Sequence, residues 1–172
     1  FKESHASKWA DHKHLQVLKE PVVTPKNHIL LIGQMPGDET VTKFSFGNHW
    51  TKFVALVNLL AEDYDLVIKL HPTLERETKK VNQWDYYYST ILSWIERGIT
   101  VFHGFESIHN ILPNTKVAIL ENSTAGIECM MYDVPIISYG YPEYHWITKD
   151  LRHLHKVKEY QYILLLLSLI HI

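Results

Sequence analysis

The chain has 172 residues, a length that suits one domain with a sizeable hydrophobic core. Its formal net charge of −2, with 21% charged residues, gives no general attraction to nucleic acid or to an acidic membrane surface. Its single cysteine, Cys129, excludes an internal disulfide and fits a reducing compartment.

The two ends of the chain differ in character from its middle. Residues 1–26 mix scattered apolar residues with charges and close on two prolines, which predicts a helical linker before a domain over residues 27–155. Residues 156–172 end in an apolar run that is shorter than the roughly 20 residues a membrane span needs. We expect this segment to be a truncated or non-native tail. Because the chain starts with Phe1 and shows no signal peptide, we expect a fragment of a longer protein.

The first half of the domain alternates apolar runs with helical patterns. "HILLIG" (28–33) has strand character, and the apolar spacing of residues 49–64 is typical of an amphipathic helix. "YDLVIKLHP" (64–72) predicts a second strand that Pro72 ends. Residues 73–98 are polar at first and then strongly helical, and Gly98 is the predicted end of that helix.

The second half continues the same alternation. Strands are predicted at 99–104, 116–122 and 134–140, and helices at 107–114 and 124–133. Strands that alternate with helices predict an α/β, Rossmann-like fold, a parallel sheet with helices on both faces. Ligands of such sheets bind beyond the carboxyl ends of the strands, and polar residues follow four of the predicted strands there.

The stretch "NSTAGIE" (122–128) joins a strand to a helix. Ser123 and Thr124 can cap the helix, and the same hydroxyls and N–H groups can hold a phosphate. Glu128 lies one turn further on the face of Thr124, where a carboxylate can accept two ribose hydroxyls. A helix cap followed by a surface glutamate explains the same pattern.

The stretch "IKLHP" places Lys69 and His71 on one face at the end of a strand. His71 can donate to a phosphate or assist a leaving group, and Lys69 can neutralise a phosphate. A partly buried histidine and a lysine that merely flanks the sheet are the structural alternatives.

The loop "GQMPGDE" contains neither a dinucleotide fingerprint nor a phosphate-binding loop of the GxxxxGK type. Asp38 lies on its Pro-Gly turn, where the carboxylate can face a ligand crevice or serve as an ordinary turn residue. No Cys/His set has the spacing of a structural zinc site, so we predict no metal.

In combination, "QMPGDETV", "IKLHP" and "NSTAGIECMMYDVPIISYGYPEYH" resemble the capsule polysaccharide biosynthesis family of bacterial glycosyltransferases, over residues 28–152. That family includes Kdo transferases, which use CMP-activated 3-deoxy-manno-octulosonic acid. The resemblance implies the C-terminal, nucleotide-sugar-binding half of a two-domain GT-B enzyme, with the acceptor-binding half missing before Phe1.

The resemblance also implies roles for individual residues. Asp38 would be the carboxylate at the anomeric carbon, and His71 would contact the CMP phosphate and help it leave. Ser123 and Thr124 would hold that phosphate. The ribose and the sugar would be bound by Glu128 and by Gln34.

The resulting hypothesis is a glycosyltransferase that transfers Kdo from CMP-Kdo to a glycan or glycolipid acceptor. We expect no cofactor, no metal and no nucleic-acid partner, and a cytoplasmic location in which any membrane association is peripheral at the inner membrane. One alternative is a UDP-sugar-dependent GT-B transferase or UDP-sugar 2-epimerase, and another is a noncatalytic nucleotide- or sugar-binding fragment.

Overall fold

One parallel sheet organises the part of the chain that the computed structural model describes, residues 23–44 and 47–142. Its five strands are β1 (His28–Ile32), β2 (Leu66–Lys69), β3 (Thr100–Phe102), β4 (Thr115–Leu120) and β5 (Ile136–Ser138). They lie in the order β3-β2-β1-β4-β5, and every neighbouring pair is parallel. The chain therefore reverses its direction of travel across the sheet between β1 and β4, and this reversal opens a crevice at their carboxyl ends.

Some of the helices lie where the sequence predicts them, whereas the short first helix was not predicted. They are α1 (Glu39–Phe44), α2 (His49–Leu60), α3 (Leu74–Lys80), α4 (Trp84–Glu96) and α5 (Ala125–Met131), with two 3-10 turns at Ile108–Asn110 and Leu112–Asn114. The 3-10 turns replace the single short helix predicted for residues 107–114. Gly98 ends the α4 region with a φ of +81°, as predicted.

Residues 73–98 contain two helices, α3 and α4, where a polar stretch followed by one helix was predicted. Asn82 adopts a φ of 53°, a left-handed conformation that an α-helix cannot continue through. Asparagine tolerates this conformation better than most residues do, so the break costs little.

The predicted Rossmann-like fold with helices on both faces is confirmed. Successive residues of the buried strand β1 point to opposite faces, so Leu31 packs with α2 and α4 while Leu30 packs with α5 and the 3-10 turns. On the first face the rings of Phe53 and Trp94 are fully buried, with centroids 6.0 Å apart. Burying one such ring contributes roughly 1.5–3 kcal/mol to stability.

Several predictions about the ends of the chain lie outside the described residues. Of the predicted linker over 1–26 only residues 23–26 are described, and the predicted tail over 156–172 is not described at all. Within residues 23–44 and 47–142, no helix has the length and apolar character required to cross a membrane.

Two glycines allow loops to approach the carboxyl edge of the sheet closely. A Cβ atom on Gly33 would lie 2.8 Å from the Leu70 side chain. A Cβ atom on Gly140 would lie 2.7 Å from the backbone oxygen of Glu121 and 2.8 Å from its Cγ. Glu121 directly follows β4 and is fully buried, so its backbone has little freedom to move and position 140 has no room for a side chain.

We therefore expect Gly140→Ala to lower the free energy of unfolding by about 1–3 kcal/mol, the usual cost of overpacking a closed site. Gly37→Ala is the matched control, because no heavy atom lies within 4 Å of its added Cβ. Urea denaturation of both variants measures the difference. Equal stabilities would show that the loop after β5 does not depend on this close approach.

Candidate functional site

A cleft opens at the carboxyl edge of the sheet, beside the crossover between β1 and β4. Segments that follow four strands line it: Ile32 and Gly33, Lys69 to Pro72, Phe105, Glu106 and Ile108, and Ser123 to Ala125 with Glu128. Five predicted site residues are thus brought together here, namely Lys69, His71, Ser123, Thr124 and Glu128. Gln34 and Asp38 are not among the lining residues.

Lys69 is the last residue of β2 and is only 7% exposed. Its Nζ donates to the backbone oxygens of Leu70, at 3.0 Å, and Gly104, at 2.8 Å. Burial lowers the pKa of Lys69 to about 8, although the carboxylates of Glu106 and Glu128 act in the opposite direction. The cleft therefore holds a fixed ammonium group that can lose its proton near neutral pH.

His71 lies just beyond Lys69 and is half-buried. The backbone N–H of Thr73 donates to its Nδ1 at 3.3 Å, and the Thr73 hydroxyl lies 3.0 Å from the same atom. Since Nδ1 accepts a hydrogen bond, the proton of the neutral ring is on Nε2. His71 thus offers an N–H donor to a ligand.

The Ser123-Thr124 turn caps a helix and also lines the cleft. Ser123 Oγ accepts from the Ala125 N–H at 3.2 Å, which is the capping role foreseen for this turn. Thr124 occupies the N-cap position of α5 without a side-chain capping hydrogen bond. Both residues line the cleft, so capping by Ser123 and ligand binding by the turn are compatible.

Glu128 lies one turn into α5, and its side chain is 17% exposed. Its Oε1 is 3.7 Å from Nε2 of the fully buried His109, on the first 3-10 turn. The side chain is therefore held at the cleft wall rather than at the outer surface, where a plain surface glutamate would lie.

Gln34 and Asp38 perform structural tasks in this conformation. The Gln34 side chain is buried, and its Oε1 accepts from the backbone N–H of Asn122 at 2.8 Å, which ties the loop after β1 to the loop after β4. Asp38 is exposed, and its Oδ1 accepts from the Thr40 N–H at 2.8 Å and the Thr40 hydroxyl at 2.7 Å. Asp38 thus caps α1, and its catalytic role stays a prediction.

A buried ionic network below the cleft was missed by sequence reasoning. Glu121 follows β4 with no exposed surface and contacts His49 Nδ1 and Lys52 Nζ, both from α2. His49 Nε2 accepts from the Gln34 N–H at 3.3 Å, so its Nδ1–H faces the carboxylate. Breaking such a buried pair costs about 3–5 kcal/mol, because it leaves an unpaired charge inside the protein. The only sequence signal was a glutamate that directly follows an apolar strand.

Glu106 was also missed. It lies in "GFESIHN", on the loop between β3 and the first 3-10 turn. Glu106 lines the cleft, whereas His103 does not and instead contacts the Trp84 ring at 6.2 Å between centroids.

A family model described as capsule polysaccharide biosynthesis protein matches residues 3–161. The chain belongs to this family. The match covers most of the sequence and includes the four segments that line the cleft. The family suggested by "QMPGDETV", "IKLHP" and the turn before α5 is therefore confirmed.

Two solved structures of Thermosulfurimonas dismutans KpsC have the same fold. Its β-Kdo 2,4 transferase is 16% identical, with a TM-score of 0.54, over 82% of this chain and 41% of that one. Its β-Kdo 2,7 transferase is 19% identical, with a TM-score of 0.51, over 72% of this chain and 36% of that one. The chain thus spans about two fifths of the length of these structures. No curated protein matches it.

The buried ammonium of Lys69 has a consequence for stability. Its pKa in the folded chain, about 8, lies below the ordinary value of 10.5, so the folded chain binds fewer protons than the unfolded chain between these two values. Stability conferred by this residue therefore rises with pH there, by up to about 1.4 kcal/mol per pH unit.

We expect the free energy of unfolding of the wild type to increase relative to that of Lys69→Met as pH rises from about 8 to about 10. Lys116→Met is the control, since that lysine is exposed at the opposite end of β4. Urea denaturation at each pH gives the comparison. Parallel pH profiles for the wild type and Lys69→Met would mean that Lys69 titrates like an exposed lysine.

Proposed function

We propose that this chain is the nucleotide-sugar-binding half of a glycosyltransferase of capsule or surface polysaccharide assembly, and that its donor is CMP-Kdo. The observation that carries the proposal is the cleft, which brings together two segments: the end of β2 with Lys69 and His71, and the start of α5 with the Ser123-Thr124 turn and Glu128. Membership in the capsule polysaccharide biosynthesis family and the Kdo transferase activity in the names of both KpsC structures support it.

In this proposal the cleft binds the nucleotide through complementary groups. The Nε2–H of His71 and the hydroxyls of Ser123 and Thr124 donate to the phosphate, and the Lys69 ammonium offsets its charge. Glu128 accepts hydrogen bonds from the ribose hydroxyls. These contacts come from side chains alone, so the proposal includes no metal ion and no cofactor.

The proposed reaction mechanism follows from the charges that develop as CMP separates from the sugar. As the bond between the anomeric carbon and the phosphate oxygen breaks, negative charge accumulates on CMP, and the donors that face the phosphate stabilise it. The anomeric carbon becomes oxocarbenium-like, and a carboxylate beside it stabilises that positive charge. We assign this role to Asp38, which would form a covalent glycosyl intermediate before the acceptor hydroxyl displaces it, while Gln34 orients the sugar.

We propose that the acceptor binds to another part of a larger protein. This chain spans 41% of the KpsC 2,4 transferase structure, and we propose that an acceptor-binding half makes up the remainder. We propose a glycan or glycolipid acceptor. We also propose a cytoplasmic enzyme that associates peripherally with the inner membrane.

The first test is calorimetric titration of the chain with CMP, UDP and GDP. We expect a preference for CMP, and His71→Ala should weaken CMP binding about 10- to 100-fold, the value of a hydrogen bond to a charged group. His103→Ala is the matched control, because His103 also follows a strand but does not line the cleft. A preference for UDP would instead favour a UDP-sugar transferase or 2-epimerase.

The second test addresses Asp38 in the full-length enzyme. Asp38→Asn retains a side chain that caps α1 equally well but removes the carboxylate charge. We expect sugar transfer to fall by more than about 1,000-fold while CMP affinity changes less than about twofold. The control is Glu39→Gln, at the exposed neighbouring position. Transfer at the normal rate by Asp38→Asn would end the proposal that Asp38 is the nucleophile.

A further inference from the structure

Glu106 lies in the wall of the cleft with an unusual environment for a carboxylate. The residue is 8% exposed, on the loop between β3 and the first 3-10 turn. Its Oε1 accepts from the side-chain amide of Asn110 at 2.5 Å. Its Oε2 is buried and has no hydrogen-bond partner in the described part of the chain.

Contacts within the described residues do not explain why Oε2 of Glu106 is buried without a hydrogen-bond partner. Buried polar atoms almost always have a hydrogen-bond partner, and a charged one without a partner is costly. The contact with Asn110 accounts for Oε1 only. Lys69, the lysine that lines the cleft, attracts this carboxylate electrostatically, but its Nζ donates to two backbone oxygens and makes no hydrogen bond to Oε2.

The chemistry of the carboxylate limits what can face Oε2. A phosphate has acceptor oxygens and negative charge, so Glu106 repels it. A group that carries a hydrogen-bond donor, such as a sugar hydroxyl or an exocyclic amine, would satisfy Oε2. Glu128 differs from Glu106, because its carboxylate lies beside the imidazole of His109.

We infer that Glu106 is a ligand-binding residue of the cleft and that its Oε2 accepts a hydrogen bond from the nucleoside part of the bound donor. This inference rests on the proposed function, because it assigns a partner in the same cleft. The cleft then has two parts: His71 with the Ser123-Thr124 turn binds the phosphate, and Glu106 binds a hydroxyl or amino group of the nucleoside.

Glu106→Gln tests the inference with little change in shape. The glutamine oxygen can still accept from Asn110, while the second position changes from an acceptor to a donor. Because Oε2 makes no hydrogen bond within the described residues, the substitution should leave the chain folded, which thermal denaturation verifies. Glu75→Gln is the control, because Glu75 is on α3 and does not line the cleft.

The wild type and both variants are titrated with CMP, UMP, 2′,3′-dideoxy-CMP and inorganic phosphate. We expect Glu106→Gln to weaken CMP binding about tenfold and to leave phosphate binding unchanged or stronger. A loss that disappears with 2′,3′-dideoxy-CMP identifies a ribose hydroxyl as the partner. A loss that disappears with UMP identifies the amino group of cytosine.

Other outcomes would overturn the inference. Equal CMP affinity in the wild type and Glu106→Gln would do so, and so would an equal loss for CMP and inorganic phosphate, which indicates a purely structural role. Both outcomes leave the proposed function standing. If the wild type binds no nucleotide, the proposed function and this inference fail together.

Discussion

Glu121 is a carboxylate without exposed surface at the end of β4, an interior strand of the sheet. A charge in that position must be paired, and its partners His49 and Lys52 come from the first turns of α2. The same histidine accepts from Gln34, whose side chain holds the backbone of Asn122. One buried carboxylate thus fixes the start of α2 and both loops beside the chain reversal, and these loops flank the cleft.

The cleft itself combines charges of both signs in a small space. Lys69 is held by two backbone oxygens and lies within electrostatic reach of Glu106 and Glu128. The hydroxyls of Ser123 and Thr124 and the His71 ring also line the cleft, so hydrogen-bond donors and carboxylates face the same space. This combination of groups is the basis of the proposal that the ligand carries both a phosphate and hydroxyl or amino groups.

The fold and the family do not identify the reaction, so the reaction is inferred from the residues of the site. The KpsC structures share this fold at 16% and 19% identity, and a fold by itself supports many activities. The conformation of Asp38 illustrates the point, because its carboxylate caps α1 here while the proposed reaction needs it at the anomeric carbon. The residues proposed to bind the donor line the cleft, whereas the proposed nucleophile does not.

The sequence by itself determined where the strands lie along the chain and that they form a parallel sheet. It also determined the family and five of the residues that line the cleft. Apolar periodicity is a local property, and parallel strands bring their carboxyl ends to one edge, so Lys69, His71 and the turn before α5 could be placed together from the sequence. The break at Asn82 depended on one backbone conformation that the apolar pattern of residues 73–98 does not record.

Only the tertiary structure decided which charged residues are buried and what they contact. Glu121 and His49 are 72 positions apart, and no local pattern links them. The unpartnered oxygen of Glu106 likewise became visible only when the loop after β3 was packed into the wall of the cleft. Burial of a charge depends on every segment packed around it, so the sequence could predict where a site would form but not the full set of residues that build it.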